Sequence, residues 1–277
     1  MSGEKLISGS TLSKDYGNVE VISKVREFSF IDRWYELTND SHFWFQWRLV
    51  ALLGQLKRLG IPLTAQFKAL EIGGGTGVLR SQIERSTQWW VDMADLDIDA
   101  LTRSEPGRGR IMYYDICEER ESFVEAYDVV VLFDVLEHIP DTQPFLTSVI
   151  RHIKPNGFLL IDVPALQTLY SKYDEAVGHV RRYNRKTLAE EFNHFNIRIH
   201  DVCYWGMTLV PVAALRKFIL KMLGNMQEDQ IISCGLEPPH PLVNRVLSVL
   251  MRIETALLSK PLVGTSILMV GQKFNRQ

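Results

Sequence analysis

The chain has 277 residues, 46% of them hydrophobic and 23% charged, with a formal net charge of −2. That length suits one large domain, or a domain with additions, around a sizeable core. The composition excludes a disordered chain, and the near-neutral charge carries no electrostatic footprint for nucleic acid. Three distant cysteines, Cys117, Cys203 and Cys234, argue against a disulfide scaffold or a Cys-rich zinc site and fit a reducing compartment. Residues 1–13 contain no apolar signal-peptide core, and the longest nearly uncharged apolar stretch, 203–215, is too short to span a membrane. The expected location is the cytoplasm.

Residues 1–27 are polar and carry few signals. The chain then turns aromatic, with Phe28, Phe30, Trp34, Tyr35, Phe43, Trp44, Phe45 and Trp47. Phe45, Leu49, Leu52, Leu56 and Leu59 recur at helical spacing, after N-cap candidates at Asn39, Asp40 and Ser41 and before a stop at Gly60-Ile61-Pro62. Residues 1–65 therefore read as an N-terminal helical cap. Most of its aromatics are expected to pack on the core, while Tyr35 and Trp44 are candidates to line a substrate pocket.

From residue 67 the pattern alternates. Apolar runs fall at 67–72, 88–94, 110–114, 127–133 and 157–163, with helix-sized segments at 78–86, 98–104, 118–124 and 141–153. A helix at 186–195, a strand at 197–204 and a last strand at 264–274 complete the series. This predicts a Rossmann-like α/β fold, a seven-stranded, mostly parallel sheet with helices on both faces. The core spans 66–206, and 263–277 supplies the last strand. Between them, 207–262 reads as a helical insertion with two apolar stripes, Val212 to Leu223 and Val243 to Leu257, broken at Pro238-Pro239-His240-Pro241. That pair can pack on the sheet, on a second copy in a homodimer, or on a membrane surface, since Arg216, Lys217 and Lys221 lie opposite the first stripe. Six basic against five acidic residues over 201–262 weaken the membrane case.

The first core strand runs into Glu71-Ile-Gly73-Gly-Gly75-Thr-Gly77 and then a helix. Strand, glycine turn and helix form the context of a nucleotide-type site, where the backbone approaches the ligand with no Cβ in the way. The spacing is not that of the dinucleotide fingerprint, Gly-x-Gly-x-x-Gly. It resembles motif I of class I S-adenosylmethionine-dependent methyltransferases. Further along, Asp95-Leu96-Asp97 ends the second strand, Asp115-Ile116 follows the third, and Phe133-Asp134-Val-Leu-Glu137-His138 follows the fourth. The last of these resembles the Leu-Glu-His segment of small-molecule members of that family. Ile153-Lys-Pro-Asn-Gly157, leading into the fifth strand, matches as well.

The resemblance implies S-adenosylmethionine as cofactor. It places Glu71, Gly73, Gly75, Asp95, Leu96, Asp115, Ile116, Phe133, Asp134 and His138 around it. Asp95 would accept the ribose hydroxyls, with Asp92 and Asp97 as rivals. Asp115 would accept the adenine amino group, and Ile116 would pack on the ring. The implied reaction is in-line transfer of a methyl group to a small-molecule acceptor, most readily at oxygen. An alcohol or phenol needs a proton removed, and His138 and His179 are the candidate bases, each alternatively a structural histidine. Arg182 and Tyr183, beside His179, are candidate substrate contacts, or else pair with acids to pin their loop. Asp134-x-x-Glu137-His138 also resembles a metal-binding element of some methyltransferases, but the expected set contains no metal. Competing readings are an enzyme acting on a membrane-associated lipid or lipid-linked glycan, and a non-catalytic S-adenosylmethionine-binding protein.

Overall fold

The computed structural model describes residues 16–26, 40–118, 120–223, 226–236 and 240–275. Its strands are β1 (Val19–Val21), β2 (Lys68–Ile72), β3 (Trp90–Asp95), β4 (Ile111–Tyr113), β5 (Tyr127–Phe133), β6 (Ile153–Pro164), β7 (Ile197–Trp205) and β8 (Ser266–Lys273). They form one sheet in the order β1-β4-β3-β2-β5-β6-β8-β7. Neighbours are parallel except at β8, which runs antiparallel to both β6 and β7.

Central strands read as continuous apolar runs because both faces are covered. Along β5, Val130 and Leu132 enter one core, while Val129, Val131 and Phe133 enter the other, following the two-residue period of a strand. Helices α1 (Phe43–Arg58) and α2 (Val78–Ser86) cover the second face through Trp47, Leu52, Leu79 and Ile83. After a short α3 (Ile98–Thr102), helices α4 (Thr142–His152) and α6 (Arg185–Glu190) cover the first face through Leu146, Val149 and Leu188. Between these two, α5 (Lys172–Ala176) stands over the end of the sheet. The chain runs outward from β2 to β3 and β4, then returns to β5 on the other side of β2. Strand order therefore reverses between β2 and β5, and the crevice beyond their carboxyl ends is where this architecture holds ligands.

The fold class is the expected one, with eight strands among the described residues instead of seven. The additional strand, β1, lies within the segment read as the N-terminal helical cap, in its signal-poor polar start. Three residues with mostly exposed side chains give no periodic signal, and β1 is placed by its main-chain pairing with β4. Helix α1 is capped by His42, whose Nδ1 accepts from the Trp44 N–H at 3.2 Å, rather than by Asp40 or Ser41; Asn39 lies outside the described residues. Asp40 is turned away toward Gln82 and Arg85. The expected helix at 118–124 reduces to one 3-10 turn, Glu121–Phe123, and that at 186–195 ends at Glu190. No loop separates α4 from β6, because residues 153–157 continue the strand through a register shift beside β5.

Among the described residues the insertion contains three helices rather than two: α7 (Val210–Leu223), α8 (Glu228–Leu236) and α9 (Pro241–Leu257). α9 lies on α1, where the Phe43 N–H donates to Asn244 Oδ1 at 3.1 Å. Buried Glu254 of α9 accepts from the Met207 and Thr208 N–H groups, tying the start of the insertion to its end. Leu220 of α7 and Ile231 and Ile232 of α8 pack against Tyr173, Ala176 and Val177 in a separate small core. Through that core the insertion holds α5 in place. Among the described residues no helix is long and apolar enough to cross a membrane.

Candidate active site

The turn after β2 places Gly73 and Gly75 at φ +74° and +53°, in the left-handed region that residues with a Cβ avoid. A Cβ on Gly73 would lie 2.5 Å from Val135 Cγ2. The turn is braced by Asp95 at the end of β3, whose Oδ2 accepts from the Gly75 N–H at 2.8 Å and Oδ1 from the Asp97 N–H at 2.9 Å. Burial raises the Asp95 pKa, against those backbone donors. Its rivals are committed elsewhere. Asp97 caps α3 through the Ala100 N–H, and Asp92 is buried against Arg110 and Tyr127. Glu71 is buried, with Oε2 unpartnered. Burial pushes its pKa up to about 7, against the charges of Arg48 and Arg80.

Glu71, the glycines, Asp95 and Leu96 line a cavity of about 540 Å³, whose opposite side is Phe133, Asp134 and His138. This is ample for a nucleoside-sized ligand. Asp134 follows β5 with φ +56°, a strained conformation for a residue with a side chain. Its carboxylate takes Arg48 Nη1 at 2.6 Å, and that guanidinium is enclosed by the rings of Trp44, Phe45 and Phe133 at 5.0–5.6 Å. Sequence reasoning missed Arg48. Its signal was a cation three residues after Phe45 and four before Leu52, on the face of α1 that faces the core.

His179 stands at the junction of this cavity and a second one. Its Nδ1 lies 2.9 Å from Asp174 Oδ1, so Nδ1 carries the proton toward the carboxylate, and Nε2 is 3.7 Å from Glu137 Oε1. Asp174 also accepts from Arg182 Nε at 2.7 Å. Burial alone would push the Asp174 carboxyl up, but the hydrogen bonds and charge of His179 and Arg182 hold it at about 2. His138 meets His179 edge to face, with ring centroids 4.8 Å apart, and its Nδ1 is 3.2 Å from the Gly178 carbonyl. Burial, then the neighbouring His179, lowers the His138 pKa to about 4, so it is neutral at pH 7. Glu137 is fully buried, and neither of its oxygens accepts a side-chain hydrogen bond. Burial, reinforced by Asp134, pushes its pKa far up.

The second cavity, about 340 Å³, lies between the sheet end and the insertion. Asp134 and His179 line both cavities, so these two residues form the partition between them. The walls of the second cavity include Trp44, Arg182, Arg216 and Leu247, from α1, the loop after α5, α7 and α9.

Other expected residues stand apart. Asp115 and Ile116 line neither cavity. Asp115 receives the Cys117 N–H and pairs with Arg26 at 3.6 Å, and Ile116 is buried in the core. Tyr183 is likewise a core residue: its backbone bridges to Ala165 and its hydroxyl donates to Glu191, and it lines neither cavity. Trp44 and Arg182 face the second cavity, and Tyr35 lies outside the described residues. Glu137, His138 and His179 bring potential metal-ligand atoms within 4.8 Å of one another. Asp134, the first acid of the expected metal element, is not in that group, being engaged by Arg48.

A family model described as a methyltransferase domain matches residues 40–202. The chain belongs to the S-adenosylmethionine-dependent methyltransferases. Similar curated proteins include a ubiquinone biosynthesis O-methyltransferase of Shewanella sp., 27% identical over 151 residues, covering 51% of this chain and 61% of that protein. Another, from Rickettsia conorii, is 27% identical over 114 residues, covering 36% of this chain and 39% of the relative. The chain thus spans about two fifths of the length of that relative. Among solved structures, the YcgJ protein of Bacillus subtilis shares the fold at TM-score 0.51 and 14% identity, covering 83% of this chain and 99% of that one. The [4+2]-cyclase SpnF does so at TM-score 0.53 and 13% identity, covering 83% and 81%.

The cofactor of the family is S-adenosylmethionine, and the residues present fit it: a turn without Cβ atoms, acidic groups facing the cavity, and an unpartnered buried carboxylate oxygen on Glu71. Glu71 is expected to make cofactor binding depend on pH. The cofactor is cationic and favours the ionised carboxylate, so affinity should fall as pH drops through about 7, approaching tenfold per pH unit well below that value. Glu71→Gln should bind more weakly at pH 8 and lose the slope, as calorimetry from pH 6 to 8 would register. A wild-type affinity flat across that range would exclude Glu71 as the titrating partner.

Proposed function

We propose that the protein transfers a methyl group from S-adenosylmethionine to an oxygen of a small molecule held in the second cavity, with His179 as the base. The observation carrying this reading is the shared partition: Asp134 and His179 face both cavities, so a group in one meets a group in the other at these side chains. When bound, the cofactor supplies an electrophilic methyl on a sulfonium. Gly73 and Gly75 admit it against bare backbone, Asp95 and Glu71 hold its polar and cationic ends, and Phe133 and Asp134 close the other side. Asp174 holds the His179 ring by Nδ1, which leaves Nε2 to receive the acceptor's proton. His138, neutral, orients the partition rather than taking the proton. The fold is shared with a cyclase, so it does not by itself fix the chemistry. The test is incubation with methyl-labelled S-adenosylmethionine and a panel of phenols and alcohols. Label in an O-methyl product supports the reading. Tight cofactor binding with no transfer to any member favours the non-catalytic one.

A second reading, in which the acceptor is borne by a membrane lipid, has its own observation. Sixteen of the twenty-two exposed large hydrophobic residues among the described ones fall between Val212 and Val263, including Leu215 (59% exposed), Phe218 (60%), Met222 (70%) and Leu257 (76%). The outward charges on α7 and α9 include Lys221, Arg245 and Arg252, and the only acid on either helix, Glu254, is buried. Of the acids that weakened the membrane case in the sequence, Asp201 and Glu254 are buried and so lie off this face. Apolar surface rimmed by cations suits an anionic lipid surface, whereas an isologous dimer through it would oppose like charges. Co-sedimentation with phosphatidylglycerol vesicles should capture the protein, and Leu215→Asp with Phe218→Asp should release it. A concentration-dependent dimer that ignores the vesicles would assign the face to a second copy instead.

A further inference from the structure

The second cavity contains a cation that the described side chains leave without a counter-charge. Arg216 of α7 lines it, with its guanidinium carbon 4.0 Å above the ring of Tyr173. Its Nε is buried and meets no acceptor. Asp134, the only carboxylate among the described lining residues, is taken by Arg48. Asp174, close by, is shared between Arg182 and His179. Two guanidinium groups therefore face one cavity, and only that of Arg182 has an ionic partner. A guanidinium stays charged in proteins, and desolvating it without a partner is costly. Burial indeed pulls the Arg216 pKa down. Stacking on Tyr173 fixes the plane of the fork, which is the arrangement that receives a carboxylate or phosphate through two parallel hydrogen bonds. Most of the rest of the wall is apolar, with Phe43, Trp44, Leu209 and Leu247 prominent beside the polar His42, Thr265 and Ser266.

We propose that Arg216 is an anion-binding subsite of this cavity, and that the molecule taken there carries a carboxylate or phosphate on an apolar body. The proposal rests on the reading of the second cavity as the acceptor site and extends it: the anion engages Arg216 at the insertion, and the reacting oxygen lies toward His179. The insertion then has a task beyond covering the sheet, since α7 brings to the site the charge that selects the acceptor.

Calorimetric titration of protein loaded with S-adenosylhomocysteine tests this with three matched probes: decanoate, decyl phosphate and 1-decanol. The two anions should bind on the order of 30-fold more tightly than the alcohol, the scale expected for a desolvated charge pair. Arg216→Met removes the charge while keeping an unbranched apolar side chain beside Tyr173, and should bring both anions to the affinity of the alcohol. Arg216→Lys should recover part of the difference. Unchanged S-adenosylhomocysteine affinity in both variants certifies the fold. Equal binding of all three probes by wild type, no binding of any, or full decanoate affinity in Arg216→Met would each overturn the proposal. These titrations require no turnover. Failure here therefore leaves methyl transfer standing, and failure of methyl transfer leaves these results readable.

Discussion

Gly73→Val should abolish measurable S-adenosylmethionine binding, and Asp95→Ala should weaken it on the order of 10- to 100-fold. The two act differently. Gly73 sits at φ +74° with Val135 Cγ2 2.5 Å from where a Cβ would stand, so valine must displace either the turn or the Phe133–His138 wall. Holding a β-branched residue in that conformation costs about 1–3 kcal/mol before any clash. Asp95 accepts from Gly75 and Asp97, so its removal leaves two backbone donors without their acceptor as well as deleting the anion. Both cores lie below the turn, so far-UV circular dichroism should be unchanged in either variant. Calorimetry with S-adenosylmethionine and S-adenosylhomocysteine reads the loss. Wild-type affinity in both variants would remove the glycine turn from the cofactor site.

Much of this site could be read from the chain because it is built from strand ends. A parallel sheet sends every strand terminus to one edge, so an acid or glycine after an apolar run is placed by topology alone. Glu71, Gly73, Asp95, Phe133 and Asp134 were legible for that reason. Asp115 also follows a strand end yet lines neither cavity, because local partners, the Cys117 N–H and Arg26, decide where its side chain turns; Tyr183, in the loop before α6, is drawn to Glu191 and the core. Arg48 and Arg216 were not assigned to the site. Each lies on a helix whose pattern is dominated by apolar residues, and helical periodicity does not say whether a cation points to solvent or into a crevice. The number of helices in the insertion was missed for a related reason. α8 is only nine residues long, and it is held by contacts with Tyr173 and Val177 more than fifty residues earlier.

His179→Ala should lower kcat about 10²- to 10⁴-fold, the usual contribution of a positioned base, with cofactor affinity unchanged. Asp174→Asn should act in the same direction with a smaller effect. An asparagine still offers an oxygen to Nδ1–H, but it no longer stabilises the imidazolium and no longer neutralises Arg182. The linkage to pH has a definite sign. The Asp174 carboxyl is held at about 2, below its unfolded value of about 3.9, so the pair's contribution to stability is complete above the unfolded value and is lost as pH falls toward 2. An Asp174→Asn variant should therefore be less stable than wild type at pH 7, with the gap closing in acid. Glu137, His138 and His179 also allow a competing arrangement in which a divalent ion binds the acceptor oxygen, and the same variants separate the two. A base acts without metal, so dialysis against EDTA should leave kcat intact and Glu137→Gln should be mild. If EDTA abolishes turnover and added Mn²⁺ or Zn²⁺ restores it, His179 is a ligand and not the base, because Nε2 cannot bind the ion and accept a proton in the same step.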